Sequence, residues 1–226
     1  MVPKVFVALT FGLLLGGLVW RLDRRFSHLF AETAGAQPNE VTSGIFVATY
    51  LIASTPLALM LLTIREGIGS LFIYRAVVVA ILLWIASIDW RWRIIPNRIV
   101  YPSSVVALLL SPLARPGALI HAYEFALLGF IVAGGIFLLF FMLGVLIYRH
   151  SDAFGLGDVK LAAFVGVALG YPAAVAAVFL ATFAGAVLAL GWGVAYRSRK
   201  VGFPYGPAIV AGAILAMLVA PTGTAP

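Results

Sequence analysis

The chain has 226 residues, 63% hydrophobic and 10% charged, with a net charge of +7 and no cysteine. Its mean hydropathy of +1.11 excludes a water-soluble domain of this length and defines an integral membrane protein. Lack of cysteine removes disulfides, thiol nucleophiles, Cys-ligated zinc and iron–sulfur clusters; the isolated His28, His121 and His150 form no ligand-spaced pair, so neither metal nor cofactor is expected.

Continuous apolar runs rich in Leu, Ala, Val and Gly fall at about 5–20, 44–64, 71–88, 99–114, 122–148, 159–170, 173–196 and 205–220. The pattern predicts an all-α, polytopic transmembrane bundle of about eight segments, of which 159–170 is too short to span by itself. It lacks the alternation of a membrane β-barrel. The first run, Val5 to Trp20, reads as a retained helix, because Arg21-Leu22-Asp23-Arg24-Arg25 follows it where a secretory peptide would place small residues. The triplet Ala34-Gly35-Ala36 comes too late for that role. Residues 21–43, with Glu32, Gln37, Pro38, Asn39 and Glu40, read as a linker or short amphipathic surface segment within a single membrane domain, 1–226.

Basic residues set the orientation. Arg21, Arg24 and Arg25 outweigh Lys4 and place the first loop in the cytoplasm. Arg91, Arg93 and Arg98, then Arg149, then Arg197, Arg199 and Lys200 fall on the same side, leaving Lys4, Arg65, Arg75 and Arg115 outside. A multi-pass protein of the inner, cytoplasmic membrane with both termini outside is expected. Fifteen basic residues scattered between apolar runs make a poor phosphate-binding stripe, so membrane lipids and not nucleic acid are the expected surroundings. Small residues of the seventh run, Ala181, Ala184, Gly185, Ala186, Ala189, Gly191 and Gly193, suit close helix packing.

Two acids stand at the inner ends of helices. Asp158 lies in Gly155-Leu156-Gly157-Asp158-Val159-Lys160, where the glycines would let a substrate backbone approach closely. Its plain alternative is a cap on a helix starting at Val159. Asp89 ends the third run beside Trp90 and Trp92, which read as interface anchors; its alternative is an ion pair with Arg91 or Arg93. Asp23, Glu32, Glu40 and Asp152 fall in predicted loops, and Glu66 and Glu124 on the outer side. Two carboxyls at one membrane level suit aspartic-protease chemistry, one acting as base toward water while the other supports the oxygen that gains charge. Lys160 either raises the local potential, holds substrate or snorkels to headgroups.

Three blocks together resemble the type IV prepilin peptidases of the GxGD intramembrane aspartic protease group: Asp89 running to Ile95-Pro96-Asn97, Gly155-Leu156-Gly157-Asp158-Val159-Lys160, and Phe203-Pro204-Tyr205-Gly206-Pro207. Gly16 through Leu22 is similar to a worn form of the family's first-helix exit. The resemblance runs from about residue 71 to the C-terminus and implies a peptidase core at 71–220. It implies that Asp89 and Asp158 are catalytic, with Gly155, Gly157, Lys160, Pro96, Asn97, Pro204, Gly206 and Pro207 binding substrate or shaping the site. Prolines 96 and 204 also suit the first turn of a helix.

The substrates implied are prepilin or pseudopilin precursors, cut at the cytoplasmic face between a short basic leader and an apolar helix. Asp152, Glu32 or Glu40 would attract that leader. Many bacterial members of the family carry a larger domain with paired Cys-x-x-Cys motifs after the first helix and also methylate the new N-terminus. Here that region shrinks to 21–43 without cysteine, so a peptidase without the methyl-transfer step is expected, with the bifunctional enzyme as the alternative. Two other classes remain: an ion-coupled transporter, against which the absence of evident internal repeats counts, and an inactive secretion-system scaffold, which has no reason to keep both acids.

Overall fold

The computed structural model describes residues 2–34, 44–115, 118–148, 155–196 and 203–219. Among them the chain is all helical: α1 (Val2–Ala34), α2 (Gly44–Glu66), α3 (Ser70–Trp92), α4 (Asn97–Ala114), α5 (Leu119–Tyr148), α6 (Leu156–Leu169), α7 (Ala173–Tyr196) and α8 (Gly206–Val219). Long apolar runs become helices because hydrocarbon offers the backbone no other hydrogen-bond partner. Four helices are long and apolar enough to cross a membrane, at Pro3–Leu29, Ser70–Trp92, Leu119–Ile147 and Ala173–Gly191, while Tyr50–Ile64 and Gly206–Val219 are apolar but shorter. The molecule is a polytopic helical membrane protein.

Three antiparallel pairs are sewn by small residues. Gly12 and Gly16 of α1 lie against Pro56 and Leu51 of α2, Gly129 of α5 meets Gly166 of α6 backbone to backbone, and Gly212 of α8 lies on Ala177 and Ala181 of α7. At each of these glycines a Cβ would collide with backbone atoms of the partner helix, so the close approach depends on its absence. Of the small residues in α7, Ala181 is used this way and Gly185 makes room for the Tyr205 ring, whereas Ala186 and Ala189 are exposed and Gly191 has nothing within 4 Å of where its Cβ would be. The Gly193 side-chain position lies outside the described residues.

Helix α3 runs through the middle and packs on α1, α2, α4 and α8. Its Val79, Leu82, Leu83, Ile85 and Ile88 are buried in one core with Leu161 and Phe164 of α6 and Ile209 and Met217 of α8. Helices α6 and α8 have 14 residues each, about 21 Å of helix against about 30 Å of hydrocarbon. Their last carbonyls therefore need partners inside the protein. Helix α3 supplies them: the Tyr74 hydroxyl donates to the Ala168 carbonyl at 2.8 Å, and Arg75 Nη1 donates to the Met217 carbonyl at 3.0 Å.

Two boundaries differ from the sequence expectation. Helix α1 continues to Ala34, through much of the span expected to be a linker, because Leu22, Asp23, Phe26 and Ser27 recur at helical spacing and turn one face inward. Asp23 is thus a buried helical residue and not a loop acid. Helix α6 begins at Leu156 instead of Val159. Residues 35–43 of the expected linker, the Arg65 and Glu66 side chains, and Arg149, His150, Asp152, Arg197, Arg199 and Lys200 lie outside the described residues.

Candidate active site

The last turn of α3 and the first turns of α6 and α8 converge at one end of the bundle. Helix α3 stops because Arg93 adopts a left-handed conformation (φ 52°, ψ 37°), its N–H donating to the Asp89 carbonyl at 2.8 Å. Asp89 is only 5% exposed, and its Oδ2 accepts the Gly206 N–H at 2.9 Å. That N–H is one of the unpaired donors that open α8, so a carboxylate there is favoured by hydrogen bond and helix dipole together. Gly206 is needed for the approach. A Cβ on it would stand 2.6 Å from Asp89 Oδ2 and 2.9 Å from Cγ.

Asp158 occupies the first turn of α6 and is half-buried. It caps its own helix: the Gly155 N–H donates to Asp158 Oδ2 at 3.0 Å, and the Asp158 N–H donates to the Gly155 carbonyl at 3.0 Å. Capping and chemistry are compatible here, since this cap engages one of the two carboxylate oxygens. Asp158 also lies near enough to Asp89 for the two charges to repel. The structure thus brings together, from different helices, two acids about seventy residues apart in sequence.

The neighbours hold these turns in place. Gly157 faces Ile95, whose Cβ would be 3.2 Å from a Cβ at 157, so α6 rests on the segment that leaves α3. Pro96 is buried at the N-cap of α4, and its carbonyl accepts from Ile99 and Val100 at 3.0 and 3.1 Å. Asn97 Oδ1 accepts from Lys160 Nζ at 3.1 Å, and the ammonium sits 5.7 Å from the Tyr101 ring centre. Lys160 therefore ties the start of α6 to the start of α4. Pro204 is buried, and Pro207 lies in the first turn of α8, where its missing N–H costs nothing.

Of the two arginines expected as alternative partners of Asp89, Arg91 is bonded to Asp23 instead, while Arg93 lies near enough to attract the Asp89 charge. Trp92, expected to be an interface anchor, is half-buried and meets His28 of α1 edge to face at 5.3 Å, so it packs against protein. Of the three acids expected to attract a leader, Glu32 is exposed on α1, and Glu40 and Asp152 lie outside the described residues. Among the described residues no group of three or more His, Cys, Asp or Glu side chains comes together as a metal site.

Two residues of this end escaped the sequence reading. Tyr205 fills the space over Gly185 with its ring and lies within Coulomb reach of Asp158. Its place inside the Phe203-Pro204-Tyr205-Gly206-Pro207 block was the available signal. Asp23 was legible in principle, since Asp23 and Ser27 share the i, i+4 spacing of a helix face with Leu22 and Phe26 beside them.

Fold and site define a class: a polytopic helical membrane protein that gathers two carboxyls at one end of its bundle, between short helices opened by glycine. The chain belongs to the type IV leader peptidase family, whose family model matches residues 76–190, a span containing both Asp89 and Asp158. It is 35% identical over 160 residues to the prepilin leader peptidase/N-methyltransferase of Bacillus subtilis (strain 168), a match covering 69% of this chain and 59% of that protein. The chain therefore spans less than two thirds of that relative's length. No solved structure matches it.

Proposed function

We propose that the chain is a membrane-embedded aspartic endopeptidase that removes the short basic leader from type IV prepilin-like precursors, with residues 71–220 as its core. The observation that carries this reading is the meeting of Asp89 and Asp158 at one end of the bundle, inside the matched family segment. In the reaction, one carboxyl is ionised and takes a proton from a water whose oxygen bonds to the scissile carbonyl carbon. The other is protonated and hydrogen-bonds the oxygen that gains charge. A proton then passes to the leaving amine as the C–N bond breaks.

Placement fits the substrate class. A precursor with its helix in the bilayer and its leader in water presents its junction at the membrane boundary, the level at which α3 ends and α6 and α8 begin. On the orientation set by the basic residues, that boundary is the cytoplasmic face of the inner membrane. Gly155 leaves room for the substrate backbone, Gly157 shapes the site by seating α6 on Ile95, Lys160 and Asn97 hold the first turns, and Pro96, Pro204, Gly206 and Pro207 shape the approach to Asp89. Glu32, Glu40 and Asp152 attract the basic leader; neutralising all three should raise KM for precursor, and an unchanged KM would remove that role.

A second reading adds methyl transfer to the new N-terminus. It is favoured by the N-methyltransferase in the name of the Bacillus subtilis relative and opposed by the absence of any cysteine in this chain. One experiment addresses both. Purified protein in detergent is incubated with a prepilin-like precursor, alongside Asp89→Asn and Asp158→Asn, and the products are weighed by mass spectrometry. Cleavage by the wild type and by neither variant is expected, with product lacking an added methyl group. Full cleavage by either variant would sink the aspartic mechanism, and proton-coupled flux lost in both would instead favour a transporter.

A further inference from the structure

The polar cluster on the far side of α3 from Asp89 has no part in the chemistry above. Asp23 of α1 is 1% exposed, and its Oδ2 is paired with Nη2 of Arg91. Its Oδ1 lies 3.0 Å from the Ser87 hydroxyl, whose single hydrogen is shared with the Trp84 carbonyl at 2.7 Å. Ser27, one turn further along α1, is fully buried, and His28 meets Trp92 edge on. The inner end of α3 is thereby bound to α1 through a buried ion pair, a hydroxyl and a ring contact.

Position on the helix gives the cluster its meaning. Ser87 and Arg91 are four residues apart and share a face, while Asp89 lies two residues from each, about 160° around the axis. Helix α3 is consequently held on one side by Asp23 and on the other presents Asp89 to Gly206 of α8. A buried ion pair adds little stability over a well-packed apolar pair, so what this pair contributes is sought in the geometry it enforces. Geometry at this place is demanding. A side-chain tip about 5–6 Å from a helix axis moves about 2 Å when the helix turns by about 20°, and a misplacement of about 1 Å in a reacting group costs about 10²-fold in rate.

We propose that Asp23, Ser87 and Arg91 form a positioning device: the ion pair fixes the rotation of α3 so that Asp89 faces Asp158, making the continuation of α1 beyond Trp20 a working part of the site. The proposal rests on the peptidase reading, and its test separates the two. Asp23→Asn, Arg91→Gln and the double variant are assayed against precursor with wild type and Asp89→Asn in parallel, kcat being taken per folded protein. Because the two residues act through one contact, all three variants should lose about tenfold in kcat, the double no more than the worse single, with KM within about twofold of wild type. The apolar pair Asp23→Leu/Arg91→Met should unfold at or above the wild-type temperature, as replacement of a buried pair allows, and still be about tenfold slow.

Any of three results overturns the positioning role: kcat within twofold of wild type in Asp23→Asn, a loss confined to KM, or a folded Asp23→Leu/Arg91→Met that cuts as fast as wild type. In each, the peptidase reading survives if Asp89→Asn is dead. Wild type that cuts no precursor, or Asp89→Asn that cuts normally, removes the peptidase reading and the positioning role with it.

Discussion

Helices α3 and α5 are both long and apolar enough to cross a membrane, yet 67% of the most apolar window of α3 is buried inside the protein against 11% for α5. What separates them is the polar groups that α3 carries at both ends. Tyr74 and Arg75 cap the short helices α6 and α8 at one end, and Ser87, Asp89 and Arg91 contact α1 and α8 at the other. In hydrocarbon such groups are tolerated only against protein partners, so they force α3 to the centre. Helix α5 offers a narrow seam, Ala126, Gly129, Ala133 and Phe137, to α6 and its neighbours and shows Leu139, Met142 and Leu146 outward. Both helices bury apolar side chains, but α3 also buries Tyr74, Ser87 and Asp89, each against a partner in another helix.

The contrast breaks most sharply at Asp89. Asp89→Asn keeps an oxygen that can accept the Gly206 N–H, so the fold should survive while cleavage falls by about 10³-fold or more in a kcat assay. Asp158→Asn should do the same, since the cap on α6 also tolerates an amide oxygen. The next effect in size is Gly206→Ala. Its methyl would force the Asp89 carboxyl aside, and a shift of about 1 Å predicts a loss near 10²-fold in kcat. Gly135→Ala on α5, where nothing lies within 4 Å, is the matched control and should stay within about twofold. Equal behaviour of the two glycine variants would mean that the contact at Asp89 is not limiting.

Much of this was readable beforehand. Seven of the eight apolar runs lie within a few residues of the helices they became, because a bilayer leaves the backbone few choices. Asp89 and Asp158 stood out because charge in an apolar run demands a reason. The path of α1 past Trp20 did not stand out. Arg21, Arg24 and Arg25 suggested a loop in water, whereas the helix continues with those arginines outward and Asp23 and Ser27 inward. Nor could the sequence say that Arg91 would choose Asp23 over Asp89, because helix rotation, and not distance along the chain, decides between them.

The smaller effects fall on stability, and they sharpen the same contrast. Tyr74→Phe removes the donor to the Ala168 carbonyl and leaves the end of α6 short of a partner where water is scarce. The cost should be about 1–3 kcal/mol, visible as a lower unfolding temperature in detergent, with kcat on the folded protein unchanged, since Tyr74 lies at the opposite end of α3 from Asp89. Leu139→Ala on α5 removes more atoms but from a side chain 53% exposed, where lipid or detergent replaces the lost contacts. Its effect should stay within about 0.5 kcal/mol. Were Leu139→Ala the more destabilising of the two, α5 would be packed against something this chain does not contain, and the assignment of α3 as the centre of the bundle would have to be shared with it.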